Sequence, residues 1–319
     1  MLENINYNLY RIKYRYGQYL PLRAPVDVSL ELSSSCNMAC SYCYHADPKN
    51  VPFKMGIMKK DVAMKIITES FYAGVNSLKF NWKGESTLNP HYAEITAYAK
   101  SLARGGVFID RLANSNFKIP FKKRDAAFSA LCNLTKVKVS YDSLNKSVFE
   151  KQRAGGDHDL TTKNIDLFHN LPERKKSGTK IVLQAVRTNL NLNEDFSKFK
   201  ARWPDAEISI RDVVEGRVEK DVSEYTHKDR DDSGRQSCKQ AHVRLIFNHD
   251  GKALPCCPDI AEKHNLGNIE NETVAEIFNG LRARNLRKSL KSGNAFDNDP
   301  CKNCSSFESF KGYKAPWGS

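Results

Sequence analysis

The chain has 319 residues, a net charge of +13 at neutral pH, 40% hydrophobic residues and 27% charged residues. That balance supplies a core and excludes a disordered polyelectrolyte, and no apolar run reaches the roughly 20 residues that a membrane span needs. Nine cysteines follow an N-terminus with no apolar signal core, which points to metal-binding or catalytic thiols in a cytoplasmic protein rather than a secreted disulfide scaffold.

Residues 1–25 read as an N-terminal extension. "VDVSLELSS" alternates apolar and polar residues from 26 to 34, the pattern of a strand, and runs into a loop holding Cys36, Cys40 and Cys43. Val62, Ile66, Ile67 and Phe71 fall on one face of a helix that Gly74 ends. A strand over 77–82 leads into the loop "KGESTLNP". A helix ending at Gly105, a strand over 107–114 and a helix over 121–132 come next. "NLTKVKVSYDS" is a strand, 159–171 a helix, "KIVLQAVR" (180–187) a strand, 194–203 a helix and "AEISIRDV" a sixth strand. About six strand–helix units in a row predict a parallel sheet with right-handed crossovers, either a partial (β/α)6 barrel or an open doubly wound sheet. In both, ligands sit at the C-terminal ends of the strands, where the three cysteines fall.

The alternation then stops. Residues 217–235 include 11 Asp, Glu, Lys or Arg among 19, too polar for a core, and read as a linker between a barrel over 26–216 and a cysteine-rich unit over 236–319. In that unit "VRLIFNHDGKALPCC" predicts a hairpin turning at "HDG", and "TVAEIFNGLRARNLRKSL" predicts one helix. Arg282, Arg284, Arg287, Lys288 and Lys291 make its end basic, a solvated face or a surface for polyanions such as nucleic acid.

Cys36, Cys40 and Cys43 follow C-x3-C-x2-C, soft thiolates suited to zinc or iron–sulfur. Zinc sites usually close at four ligands. Three thiolates leave one position of a [4Fe–4S] cluster open. His45 is near enough in sequence to be a nitrogen donor but reads as a loop residue, and Cys132, alone in a helix, as a buried small hydrophobe. "CNMACSYC" resembles the signature of the radical S-adenosylmethionine (SAM) superfamily, C-x3-C-x-aromatic-C, with Tyr42 at the aromatic position. The resemblance implies that the three cysteines hold a cluster whose open iron chelates SAM, and that its cleavage yields a 5′-deoxyadenosyl radical that abstracts a substrate hydrogen. It further implies that Gly84 and Glu85 of "WKGEST" meet the SAM amino group. Lys83 stands where a second glycine is usual and Ser86 where proline is usual. It sets Tyr42 beside the adenine, Ser140 of "VKVSYDS" near the ribose and Arg153 of "EKQRAGG" near the carboxylate.

The tail resembles the SPASM auxiliary domain in its shorter, single-cluster Twitch form. Cys238, Cys256, Cys301 and Cys304 are the four ligands this resemblance implies for a second [4Fe–4S] cluster. Adjacent strand residues face opposite ways, so either Cys256 or Cys257 is spare, and the family's "PC" position favours Cys256. A zinc knuckle is the competing reading of the tail. The likeness spans about residues 26–310. It implies an oxidoreductase or isomerase served by an electron donor such as flavodoxin or ferredoxin, acting on a small or nucleotide-linked substrate, including one carried on nucleic acid. A peptide or protein maturase is the alternative, and a non-catalytic zinc or iron–sulfur module on nucleic acid the remote one. About 25 residues precede the first strand, too few for a leader-peptide-binding domain. The catalytic acid or base is unassigned. Gln184, Arg187, Arg211 and Asp212, at the ends of the fifth and sixth strands, are candidates for meeting substrate if they face inward.

Overall fold

The computed structural model describes residues 2–213, 238–297, 299–302 and 304. Strands β1 (Asp27–Leu30), β2 (Ser77–Lys79), β3 (Asp110–Ser115), β4 (Lys136–Ser140), β5 (Lys180–Arg187) and β6 (Glu207–Asp212) pair in chain order, every pair parallel. Helices α2 (Lys60–Tyr72), α3 (Tyr92–Leu102), α4 (Phe121–Leu131), α5 (Lys146–Gln152), α6 (His158–Asn170), α7 (Pro172–Ser177) and α8 (Ser197–Arg202) lie in the crossovers. This is the partial-barrel architecture expected from the alternation. The fifth strand matches its predicted bounds, and β1 and β2 are shorter than theirs because the chain leaves the ladder early to form the site loops.

Alternate residues of these strands have opposite fates. Val28, Leu30, Leu78, Phe80, Ala113, Val137, Val139, Ile181 and Leu183 are buried in one core with the helices, and each fully buried Val, Leu, Ile or Phe contributes about 1.5–3 kcal/mol. By the register, Asp27, Ser29, Ser77, Lys79, Asp110, Lys138, Gln184 and Arg211 share the other face. That face is the lumen, and it is polar.

Two features were not expected. The extension forms α1 (Leu2–Tyr16), which lies across the N-terminal ends of the strands. Tyr10 packs with Val26 and Val243 and donates to Asp110; the Tyr14 hydroxyl accepts from Arg244, and its ring lies 5.6 Å from the Lys79 ammonium. Its sequence gave little warning because the buried positions are tyrosines among charged residues. The sheet also continues past β1. After α9 (Gln240–Val243), β7 (Arg244–Phe247) pairs parallel with β1, then β8 (Lys252–Leu254) and β9 (Gly267–Asn268) add antiparallel. The β7–β8 turn is the predicted one, with Gly251 at φ +80°. The single helix expected near the C-terminus is two, α10 (Val274–Asn279) and α11 (Leu281–Ser292). Gly280, in an extended conformation, ends one and caps the other. The predicted linker, 217–235, lies outside the described residues.

A buried ion cluster joins these parts. Asp27, fully buried, accepts from Lys79 at 2.6 Å, Arg244 at 2.8 Å and Ser77 at 3.1 Å. Burial pushes its carboxyl up, and the two cations outweigh that and hold it below the usual range. Asp27→Ala strands two cations, so urea unfolding should show a loss of about 3–5 kcal/mol.

Candidate active site

The loop after β1 carries Cys36, Cys40 and Cys43. It is held along its length rather than at its ends. Ala39 and Ser41 donate backbone N–H to Ala154 and Gln152 at 2.7 and 3.1 Å, and a turn closes Cys43 N–H on Cys40 C=O at 3.0 Å. Asn116 Nδ2 approaches Cys36 Sγ at 3.8 Å and Arg153 Nη1 approaches Cys40 Sγ at 3.9 Å. Burial first, then the Glu85 charge, pushes the Cys36 thiol up to about 12; burial also raises Cys40 to about 11, against the pull of Arg153. Such thiols become thiolates only against a strong local positive charge, as iron provides. Among the described residues no three His, Cys, Asp or Glu side chains close around a single metal ion. The thiolates of a four-iron cluster each take a different iron, and three soft thiolates on one loop suit such a cluster.

The "WKGEST" loop after β2 lies against this one. Gly84 is obligatory: a Cβ there would come within 2.3 Å of Ser35 O and 2.6 Å of Ser33 O. Glu85 is buried, its backbone N–H donating to Ser35 C=O, while its carboxylate accepts from the backbone N–H of Asn116 at 2.7 Å and the Thr87 hydroxyl at 2.8 Å. Burial raises its pKa despite these donors. Lys83, at the usual glycine position, is buried and reaches Glu262 at 2.6 Å and Glu31 at 3.5 Å, with its ammonium 4.1 Å from the Trp82 ring and 4.3 Å from that of Phe53. Trp82 Nε1 donates to Cys257 C=O at 3.0 Å. One loop thus touches both cysteine sets.

The third wall comes from β4 and α5. Asp142 accepts from Tyr42 Oη at 2.7 Å, Arg153 Nη2 at 2.8 Å and Val186 N–H at 2.8 Å. Burial, then the neighbouring Asp142 and Cys40 against the pull of Arg153, lifts the Tyr42 pKa well above normal, so it stays a donor. Asp142 was missed as a site residue; it is the aspartate of the "SxD" segment, where only the serine was singled out. Ser140 closes β4 on the lumen face, half-buried. Arg153 Nε is buried with no partner, which fits a carboxylate ligand. Gln184 and Arg211 share the lumen face by register. Arg187 is on the opposite face, and Asp212 is described for its backbone alone. His45 is packed against Tyr44 and Phe53, bonded to Lys83 C=O, and its pKa is lowered by burial, a structural role. Cys132 caps the end of α4 in the core.

The tail cysteines converge. Cys238 and Cys301 border one small cluster with Ala241 and Leu290. Cys304 N–H meets Cys301 C=O at 3.3 Å. Burial and then the charges of Cys238, Cys257, Asp259 and Cys304 raise the Cys256 thiol, while Cys257 Sγ has Arg244 Nη1 at 4.0 Å.

Comparison with known proteins agrees with this layout. The SPASM iron–sulfur cluster-binding domain matches residues 238–305. The mycofactocin maturase of Mycolicibacterium smegmatis is 24% identical over 57% of this chain and 43% of its own length. A probable GTP 3′,8-cyclase of Methanococcus maripaludis is 29% identical over 48% of this chain and 46% of its own. The chain therefore spans less than half the length of these relatives. The crystal structure of BtrN with AdoMet and 2-DOIA superposes with a TM-score of 0.58 at 17% identity, covering 88% of this chain and 92% of that one.

The fold is that of proteins solved with AdoMet, and the matched domain is the SPASM iron–sulfur cluster-binding domain. Both agree with the sequence's resemblance to the radical SAM superfamily, which implies SAM and [4Fe–4S] clusters as cofactors. No helix among the described residues is long and apolar enough to cross a membrane. If Arg153 meets the SAM carboxylate, as the resemblance implies, Arg153→Ala would remove a charged contact worth about 1.5–3 kcal/mol, and SAM should bind about 10- to 100-fold more weakly by equilibrium dialysis.

Proposed function

We propose that this enzyme activates an unactivated C–H bond of a small or nucleotide-linked substrate held in the barrel lumen and oxidises or rearranges it. The observation that carries the reading is the convergence of the three-thiol loop, Glu85 and the unpartnered Arg153 Nε at the strand ends that open on a polar lumen. Cys36, Cys40 and Cys43 would hold the first cluster, Glu85 the SAM amino group, Arg153 its carboxylate, and Tyr42 and Ser140 its nucleoside. Bound there, the cluster and SAM supply one-electron reductive cleavage and a hydrogen-abstracting radical.

This chain's own part is positioning. Asp142 orients both Tyr42 and Arg153, and its own place is fixed by Val186 N–H. Asn116 and Thr87 hold the Glu85 carboxylate still, so its reorganisation cost is met on folding. The α1 floor and the helix layer bound the lumen and keep water out from below.

In the tail, Cys238, Cys256, Cys301 and Cys304 would hold the second cluster, leaving Cys257 to Arg244. The placement of Trp82 against Cys257 C=O supports a working link between this unit and the SAM loop. An electron donor such as flavodoxin or ferredoxin and a cytoplasmic setting belong to the same reading. The likeness to a maturase favours a second reading, a peptide substrate.

Reduced protein should release 5′-deoxyadenosine from SAM, and the Cys36, Cys40 and Cys43 triple Ala variant should release none while keeping about four irons per chain; full release by the variant would overturn the assignment. Cys301→Ala should lose about four irons yet keep 5′-deoxyadenosine release uncoupled from product, and an unchanged iron count would refute the tail cluster. Mass spectrometry of peptide and metabolite pools after turnover separates the two substrate readings.

A further inference from the structure

The lumen face carries more cations than its carboxylates can answer. Asp27 is taken by Lys79 and Arg244, Glu207 by Lys136 at 3.5 Å, and Asp110 by Tyr10 and Thr135. Lys138 and Arg211 have no carboxylate partner among the described residues. Lys138 sits in the middle of β4 between the core residues Val137 and Val139, so its side chain points to the lumen, half-buried. Asp110 is near enough to act on Lys138 but forms no ion pair with it, and a half-buried ammonium without an ion-pair partner is costly and persists where a ligand answers it.

The neighbouring strands add unmet polar groups at this level. Asn114 stands opposite Lys138 in the β3–β4 register, and its Oδ1 is buried with no partner. Asn81 Oδ1, one pleat beyond Lys79 along the same face, is likewise buried and unpartnered. Two amide oxygens and the Lys138 ammonium form a recognition surface that no ion pair or hydrogen bond among the described residues satisfies.

We propose that the lumen is a subsite for an anionic group, a phosphate or a carboxylate, of the substrate, with Lys138 as its principal contact, Arg211 at the mouth and Asn81 and Asn114 holding adjacent hydroxyls or amines. The inference rests on the lumen being the substrate chamber. Lys138 is one pleat below Ser140, about 7 Å further from the cysteine loop, so its anion is a different one from the SAM carboxylate assigned to Arg153. Burial first, then Lys79, Arg211 and Lys136, against the pull of Asp110, holds the Lys138 amine down to about 8, so part of it is neutral near pH 8 and a bound anion would restore its charge.

The test uses the reconstituted holoenzyme at pH 8 with pyridoxal 5′-phosphate, and with pyridoxal as the same aldehyde without the anion. A lysine amine condenses with either aldehyde, losing water to give an imine that borohydride reduces to a stable secondary amine, and peptide mapping reads the site. Lys138 should be modified about tenfold faster by the phosphorylated aldehyde, with exposed Lys288 showing no such preference. Arg211→Gln should lower the preference in an otherwise native protein. Saturating inorganic phosphate should abolish it if the natural anion is a phosphate, and acetate if it is a carboxylate. The inference is overturned if neither anion protects Lys138, if Lys138 shows no preference, or if SAM alone removes the preference. Iron content and 5′-deoxyadenosine release on the same preparation report the cofactor assignment separately, so a failure of one is not read as a failure of the other.

Discussion

The carboxylate of Asp27 is the constraint on which the rest is built. It lies at the start of the strand that feeds the three-cysteine loop, and it is shared between Lys79 on one neighbouring strand and Arg244 on the other. Parallel pairing alone sets the spacing of β2, β1 and β7 but leaves three charges on one face, Asp27 and Arg244 at the first residues of β1 and β7 and Lys79 at the last of β2. Placing one anion between two cations answers the charges and locks the three strands together. Arg244 reaches further, to the Tyr14 hydroxyl of the floor helix and to Cys257 Sγ. A single buried cluster therefore ties the floor of the barrel, the strand beneath the SAM loop and the first strand of the auxiliary unit.

The same economy recurs at the other end of the strands. Glu262, from the segment matched by the SPASM domain, is half-buried and paired with the buried Lys83 of the loop after β2. Burial raises its carboxyl, and Lys83, Asn248 and Lys252 outweigh that and lower it. A glycine at position 83 would leave Glu262 and Glu31 facing each other's surroundings without that cation. The departure from the usual double glycine thus has a structural counterpart two hundred residues away.

Much of this was legible in the sequence, for physical reasons. The barrel strands are short β-branched runs whose apolar residues face helices, so period-two alternation marked them, and the β7–β8 turn was marked by a glycine that needs positive φ. The three-cysteine spacing was legible because cluster ligands on one loop are close in sequence. Asp142 was overlooked because an aspartate after a strand looks like any turn residue, and its role depends on three donors from distant segments. The floor helix and the β1–β7 pairing were hidden for a similar reason. Tyrosines carry little apolar signal, and strand partnership across two hundred residues leaves no local trace. The break at Gly280 was passed over because helical periodicity continues on both sides of it.

The floor has a consequence for how the chamber is used. With α1 lying beneath the strands, the lumen is a vessel open at the rim, and the SAM loops stand at that rim. Anything that would reach Lys138 has the floor helix behind it and the cysteine loop in front of it.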